Sequence, residues 1–298
     1  MDSIKLWFAA SRPVSFTASV IPVLVGTFLA ADERFSWWKG LLALFGALLI
    51  HAGTNLVNDY YDHRKGADSE RSLGPPGFIQ RGLLTPRSVI AAGVLCFAAG
   101  AGIGLVLCAV TSWELLWLGL ISVAGGFLYT GAPIHLAYIG LGELTVFVFM
   151  GPVMVLGASF VQVERWQWEP IVASIPIAFL VTAILQANNL RDIDNDRATH
   201  KHTIATLIGR KWANREMYGL LIGAYVALVV AVVAGALPWP ALAALATAPL
   251  VRPIVKIVRT PGNPRKLNFA LIRTAGLHMQ FGAVLTAGLL VNWAIESL

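Results

Sequence analysis

Charge is scarce in this chain: Asp, Glu, Lys and Arg together make up 13% of its 298 residues, against about 25% in a soluble domain. With 57% hydrophobic residues and a mean hydropathy of +0.70, that shortage excludes a water-soluble globular protein. Cysteine is scarcer still. Cys96 and Cys108 are the only two, without a CxxC pairing, so the sequence offers neither a disulfide framework nor a thiol redox motif. There is no Ser- or Pro-rich linker, no low-complexity tract and no charge block longer than a loop. A single membrane domain over residues 1–298 is the economical reading.

What is abundant is apolar sequence long enough to cross a bilayer, for which about 20 residues suffice. Such stretches fall at 13–31, 37–58, 87–110, 113–130, 139–162, 169–189, 213–235, 238–257 and 271–295, which predicts an all-α protein of about nine transmembrane helices. Runs such as Leu41–Ile50 and Leu220–Ala236 are apolar on every face, unlike the alternation of an outer-membrane barrel. The basic start followed by an apolar run has the look of a signal peptide. Its length and Pro22 predict instead an uncleaved first helix.

Lys and Arg set the expected orientation. With the N-terminus in the cytoplasm, nineteen of the twenty-two basic residues fall on the cytoplasmic side, and only Arg34, Lys39 and Arg165 fall outside. A multi-pass protein of the plasma (inner) membrane is expected. The net charge of +6 then reflects topology and attraction to anionic lipid, not nucleic-acid binding.

Against this background, two short acidic clusters stand out. Asn58-Asp59-Tyr60-Tyr61-Asp62 and Asp192-Ile193-Asp194-Asn195-Asp196, with Asp68, hold six of the sixteen acids at the ends of apolar runs. Carboxylates at the edge of a bilayer are costly, which points to chemistry. Each cluster follows an Asn-bearing helix end, Asn55 before one and Asn188-Asn189 before the other, and each precedes a basic loop. That parallel raises two related halves facing one another across a bundle.

If the helices continue through the clusters, Asn58 and Asp62 share one face, as do Asp192 and Asp196. Such oxygen ligands suit Mg2+, which keeps several waters and shares itself between carboxylates and substrate phosphates. Two ions would stabilise a diphosphate as a leaving group. The cations nearby, Arg64, Lys65, Arg71 and Arg81 after the first cluster and Arg191, Arg197 and Lys201 around the second, match phosphate oxygens. The alternative is a pair of solvated loops whose Asp and Arg residues neutralise each other and cap helices. Two clusters on one side, each with ligands four apart, argue against it.

These residues resemble the UbiA-type intramembrane prenyltransferases. The family's first motif, Asn-x-x-x-Asp with a further Asp, is matched by Asn58, Asp62 and Asp68, and its second, Asp-x-x-x-Asp, by Asp192 and Asp196. The stretches Asn58–Asp68, Tyr129–Gly131, Gly140–Glu143, Phe147–Pro152, Asn188–Arg197 and Lys201–Gly209 are most similar to the naphthoate-prenylating branch of menaquinone synthesis. The resemblance implies nine transmembrane helices around a central cavity opening near the cytoplasmic face. It implies Mg2+-dependent transfer from a polyprenyl diphosphate to an aromatic acceptor, foremost 1,4-dihydroxy-2-naphthoate, with homogentisate or 4-hydroxybenzoate as alternatives. Loss of the acceptor's carboxylate as CO2 would lead to demethylmenaquinone. Asn58, Asp62, Asp68, Asp192 and Asp196 become the metal set, and Asp59, Asp68, Arg71, Arg191, Arg197 and Lys201 the catalytic set. Arg12, Asn55, Tyr129, Asn188, Asn189, Arg81 and His135 are the substrate-binding candidates. Many relatives carry a Lys shortly after the Tyr of the helix 4–5 loop; this chain has Pro133-Ile134-His135-Leu136 there, so that Lys does not carry over, and His135 is one candidate to replace it.

Several smaller features complete the expectations. Phe127, Tyr129, Phe147 and Phe149 are candidate walls for stabilising a carbocation. Gly151-Pro152 and Pro176 predict kinks around the cavity, and the Gly- and Pro-rich loop Gly66–Thr85 predicts a lid in which Arg71 folds over phosphates. His200 and His202 have His-x-His spacing without further zinc ligands. Two rivals are weaker. A CDP-alcohol phosphotransferase needs a motif order that Asn58–Asp68 lacks, and a divalent-cation transporter would carry its acids near the bilayer midplane.

Overall fold

In a computed structural model of the chain, the structure describes residues 3–66, 77–260 and 266–297. The regular elements among these residues are all helical: α1 (Ser3–Ala10), α2 (Thr17–Leu29), α3 (Trp37–Arg64), α4 (Pro86–Val110) and α5 (Leu115–Leu128), then α6 (Gly142–Val163), α7 (Glu169–Ala198), α8 (Ile204–Val233), α9 (Trp239–Arg259) and α10 (Leu267–Glu296).

Seven of these helices are long and apolar enough to cross a bilayer, or eight if α1 and the segment Pro13–Leu29 form one span bent by 51°. The bend has a local cause. Arg12 takes a left-handed conformation with φ 59, and Pro13 follows it, where no backbone N–H is available to continue a helix. The expected span at 113–130 is a shorter helix. The fourteen residues of α5 rise about 21 Å, less than a hydrocarbon core of about 30 Å.

Two helices run further than hydropathy predicted. Both α3 and α7 continue through the acidic clusters, to Arg64 and Ala198. α8 begins at Ile204, nine residues before the expected start at 213, because Arg210, Lys211 and Arg215 are helix formers even where they leave the apolar phase. Gly209, at φ 76, breaks it near this polar end. In α6 the segment Phe149–Val153 winds as a π turn around Pro152, whose missing N–H leaves the ladder open.

The bundle centres on α7. Within its most apolar window 67% of residues are buried in protein, against 22% in α4. Ile177, Leu180 and Leu190 of α7 pack with Met217 and Leu221 of α8 and Phe281 of α10 in the main core. In a bilayer such packing depends on close backbone approach at small residues. A Cβ on Gly26 of α2 would stand 2.3 Å from the Val155 carbonyl oxygen of α6, so only glycine allows these two helices to meet.

Candidate active site

The continued α3 and α7 bring the two acidic clusters to one end of the bundle. Asp62 and Asp196 are both buried, and the Lys201 ammonium lies 4.0 Å from a carboxylate oxygen of each. Lys201 belongs to the short connection between α7 and α8. Its N–H donates to the Asp196 carbonyl at 2.8 Å, and the N–H of His202 donates to the Tyr138 carbonyl at 3.1 Å. The connection is thereby stitched to the loop that follows α5. Burial works against the charge on Lys201, but Asp62 and Asp196 outweigh it and hold the ammonium above its usual range.

Tyr138 completes this centre. Its hydroxyl donates to Asp62 Oδ1 at 2.5 Å, while Lys65 Nζ sits 3.9 Å from the ring centroid and Lys201 Nζ 5.2 Å from it. One phenol thus fixes the first acidic cluster and carries two cations against its ring.

The second cluster is held by Arg191. Its guanidinium grips Asp192 through both oxygens, at 2.8 and 2.5 Å. It also donates to Asn188 at 2.7 Å and to Asn268 of α10 at 2.9 Å. Asn189 donates to Glu143 of α6 at 2.7 Å. On the opposite wall Arg12 pairs with Asp59, and Asn55 donates to the Ser11 carbonyl at 2.9 Å.

These side chains surround the mouth of a cavity of about 980 Å3 that extends among α3, α4, α5, α6 and α7. Arg12, Asn55, Asn58, Asn188, Arg191 and Lys201 line its polar end, and Gly104, Gly119, Leu116, Phe149 and Val153 its apolar length. Asp62 and Asp196 are not on its wall, yet Lys201, which is, reaches both. Tyr129 lines the cavity as well.

The remaining candidates fall elsewhere. Asp68 and Arg71, with half of the expected lid, lie outside the described residues. The described end of that loop is docked: Phe78 and Ile79 are buried against Ala10, Leu56 and Val89. Arg81 and Arg197 are exposed, the latter 3.4 Å from the Thr206 carbonyl. His135 donates through Nδ1 to the Thr130 carbonyl at 2.5 Å and contacts the Tyr61 and Tyr138 rings edge-on. Asp194 points outward to Arg210 at 3.3 Å. Of the four expected aromatic walls, Tyr129 and Phe149 line the cavity; Phe147 packs on Phe179 and Phe127 on Phe97 and Tyr61. No site role attaches to Tyr138 or Asn268 from the sequence, and Glu143 is named there only as the end of the Gly140–Glu143 stretch. Tyr138 had a signal, an aromatic three residues beyond the position searched for a lysine.

The donor set suits a hard cation shared with a ligand. Asn58 Oδ1 is buried with no hydrogen-bond partner among the described residues; Asp62 follows it by one turn of α3, and Lys201 links Asp62 to Asp196. Among those residues no three His, Cys, Asp or Glu side chains form a ready-made cluster. A cation held here would therefore complete its shell with water and with ligand oxygens, as Mg2+ does.

The chain matches the UbiA prenyltransferase family over residues 19–276 and belongs to it. It is 38% identical over 291 residues to the 1,4-dihydroxy-2-naphthoate octaprenyltransferase of Mycobacterium tuberculosis, covering 97% of this chain and 98% of that protein. The enzyme of the same name from Bacillus subtilis is 36% identical over 290 residues, covering 97% and 93%. Among solved structures, a UbiA homolog from Aeropyrum pernix superposes with a TM-score of 0.71 at 17% identity, covering 93% of this chain and 97% of that one. A UbiA homolog from Archaeoglobus fulgidus bound to DMAPP and Mg2+ does so at 0.64 and 14%, covering 94% and 98%.

Proposed function

We propose that this chain transfers a polyprenyl group from a polyprenyl diphosphate to 1,4-dihydroxy-2-naphthoate, releasing diphosphate and CO2 and forming demethylmenaquinol, the hydroquinone form of demethylmenaquinone. The observation that carries the reading is the joining of Asp62 and Asp196 through Lys201 at the polar mouth of a long apolar cavity. The likeness along nearly the full chain to two enzymes named for this naphthoate supports the acceptor.

Each part of the site has a task in this reading. The diphosphate lies at the mouth, where Lys201 and Lys65 attract its oxygens. Asn58, Asp62, Asp68, Asp192 and Asp196 would hold two Mg2+ ions, which when bound would supply charge neutralisation for the leaving group. Arg191 acts through Asp192, keeping its carboxylate aimed. Arg12 and Asn55 stand where the acceptor's polar groups enter. The prenyl tail runs along the apolar length, whose walls exclude water from the reacting carbon. Tyr129 and Phe149 offer π faces to the developing allylic cation, and C–O cleavage leaves an electrophile that the electron-rich naphthoate ring attacks.

In this reading the chain is one membrane domain of nine spans, with α5 completing the count. It sits in the plasma membrane with its N-terminus and acidic mouth toward the cytoplasm, in line with the distribution of Lys and Arg. A radiolabelled prenyl-transfer assay with candidate acceptors, run with and without Mg2+, tests it. Prenylated naphthoate formed only with Mg2+ is the expected product; transfer to 4-hydroxybenzoate alone would reassign the acceptor, and no transfer to any aromatic would overturn the reading.

A further inference from the structure

Between Glu216 and Glu296 the chain contains no carboxylate side chain, yet it carries six basic residues. Three of them, Arg252, Lys256 and Arg259, recur four and three residues apart on the last turns of α9 and are exposed. Ile254 and Val258 on its other face are buried. None of the three basic side chains forms an ion pair with a described residue. With Ala248, Val251, Val255 and Thr260 of the same stretch of chain, they line a shallow, open cleft of about 670 Å3 along the end of α9.

The cleft lies at the same end of the bundle as the acidic mouth but is built from other residues. Asn214, ten residues into α8, donates to the Val258 carbonyl at 3.4 Å, which places the end of α9 beside the first half of α8, the half that follows the connection carrying Lys201. Arg252 lies seven residues before Arg259, about 10 Å deeper along the helix axis. At that depth an arginine reaches toward the interface and needs an anion there.

We propose that this cleft binds the headgroup of an anionic phospholipid of the surrounding bilayer, with Arg252, Lys256 and Arg259 on the phosphate and an acyl chain along Ala248, Val251 and Val255. The combination selects the lipid. Three cations with no ion pair to a described residue suit an anion, and the apolar residues beside them on the same helix fit a ligand that is part hydrocarbon, which inorganic phosphate is not. Near an anionic surface each cation is worth on the order of fivefold in affinity, so three supply on the order of a hundredfold at most.

The test is native mass spectrometry of the purified full chain in detergent, titrated with phosphatidylglycerol or phosphatidylcholine. The wild type should retain phosphatidylglycerol about tenfold better than phosphatidylcholine. The triple variant Arg252→Gln, Lys256→Gln, Arg259→Gln should lose that preference. A control triple, Arg87→Gln, Lys211→Gln, Arg215→Gln, removes equal charge from other exposed sites and should keep it. Circular dichroism establishes that each variant is folded, and Lys256→Glu alone replaces the triple if the latter is not. Equal retention of both lipids by the wild type, or equal loss in the two triples, would overturn the proposal. So would complete displacement of the lipid by excess inorganic phosphate, which would show that the anion alone is recognised.

Discussion

The phenol of Tyr138 donates a 2.5 Å hydrogen bond to Asp62, a residue seventy-six positions earlier in the chain. That bond occupies Oδ1 of the carboxylate, while Oδ2 is the oxygen 4.0 Å from Lys201. The two oxygens are thus assigned to different partners, and the carboxylate has little freedom to turn. A site that must grip a diphosphate at one distance gains from this preorganisation.

Replacing Tyr138 with Phe keeps the ring beneath Lys65 and Lys201 and removes only the donor. Hydrogen bonds to charged groups contribute about 1.5–3 kcal/mol, so kcat/KM for the prenyl diphosphate should fall by ~10-fold or more. The Mg2+ concentration for half-maximal activity should rise, and KM for the aromatic acceptor should stay unchanged. Steady-state kinetics with each substrate varied in turn would check this.

Asp62→Ala and Asp192→Ala should each lower turnover ~10²–10³-fold, the usual cost of losing a charge-stabilising group. Asp194→Asn should leave activity near wild type, since its carboxylate faces outward to Arg210. Activity above about a tenth of wild type in either of the first two would remove that residue from the metal set.

Lys201→Met leaves the buried carboxylates of Asp62 and Asp196 without the ammonium that each now shares. The thermal midpoint of the metal-free protein in detergent should drop. Added Mg2+ should then raise the variant's midpoint more than the wild type's, because a cation replaces the missing one. Equal shifts in the two proteins would show that Mg2+ does not act at this pair.

Gly104 and Gly119 line the apolar length of the cavity, and a Cβ at either would meet nothing within 4 Å. A large side chain there fills the path of the prenyl tail and leaves the mouth intact. Gly119→Phe should shift the preferred donor to a shorter prenyl diphosphate, measured by mass spectrometry of products from a mixture of chain lengths. An unchanged distribution would place the tail elsewhere.

Gly26→Ala tests the packing of α2 on α6. The new Cβ would meet the Val155 carbonyl oxygen at 2.3 Å, and backbone cannot move aside as a side-chain tip can. A loss of about 1–3 kcal/mol is expected for overpacking of this kind, read as a lower midpoint in detergent.

The acidic pairs were legible in the sequence because an i,i+4 spacing declares itself wherever the helix persists, and α3 and α7 persist to Arg64 and Ala198. Lys201 was legible as a nearby cation, though not as the group joining Asp62 to Asp196. That junction depends on how the turn after Ala198 packs against the loop after α5, a contact between distant parts of the chain without a periodic signature. Tyr138 and Asn268 were hidden for the same reason. The early start of α8 was not legible because hydropathy marks the limits of the apolar phase rather than those of the helix, and here Arg210, Lys211 and Arg215 interrupt that phase within a helix that begins at Ile204. The shortness of α5 was also invisible, since Trp113, Tyr129 and Thr130 prolong its apolar run without prolonging its helix.

Five of the site residues, Asn188, Asn189, Arg191, Asp192 and Asp196, ride on the one helix that is most deeply enclosed by the others. Active-site segments are commonly drawn from the least protected parts of a fold, which open on their own. Here the second acidic cluster cannot open alone without drawing α7 away from α8 and α10. Amide hydrogens around Asn188–Ile193 should therefore exchange only as slowly as the whole bundle unfolds, and whatever pliancy the reaction cycle needs must come from the α3 side of the mouth.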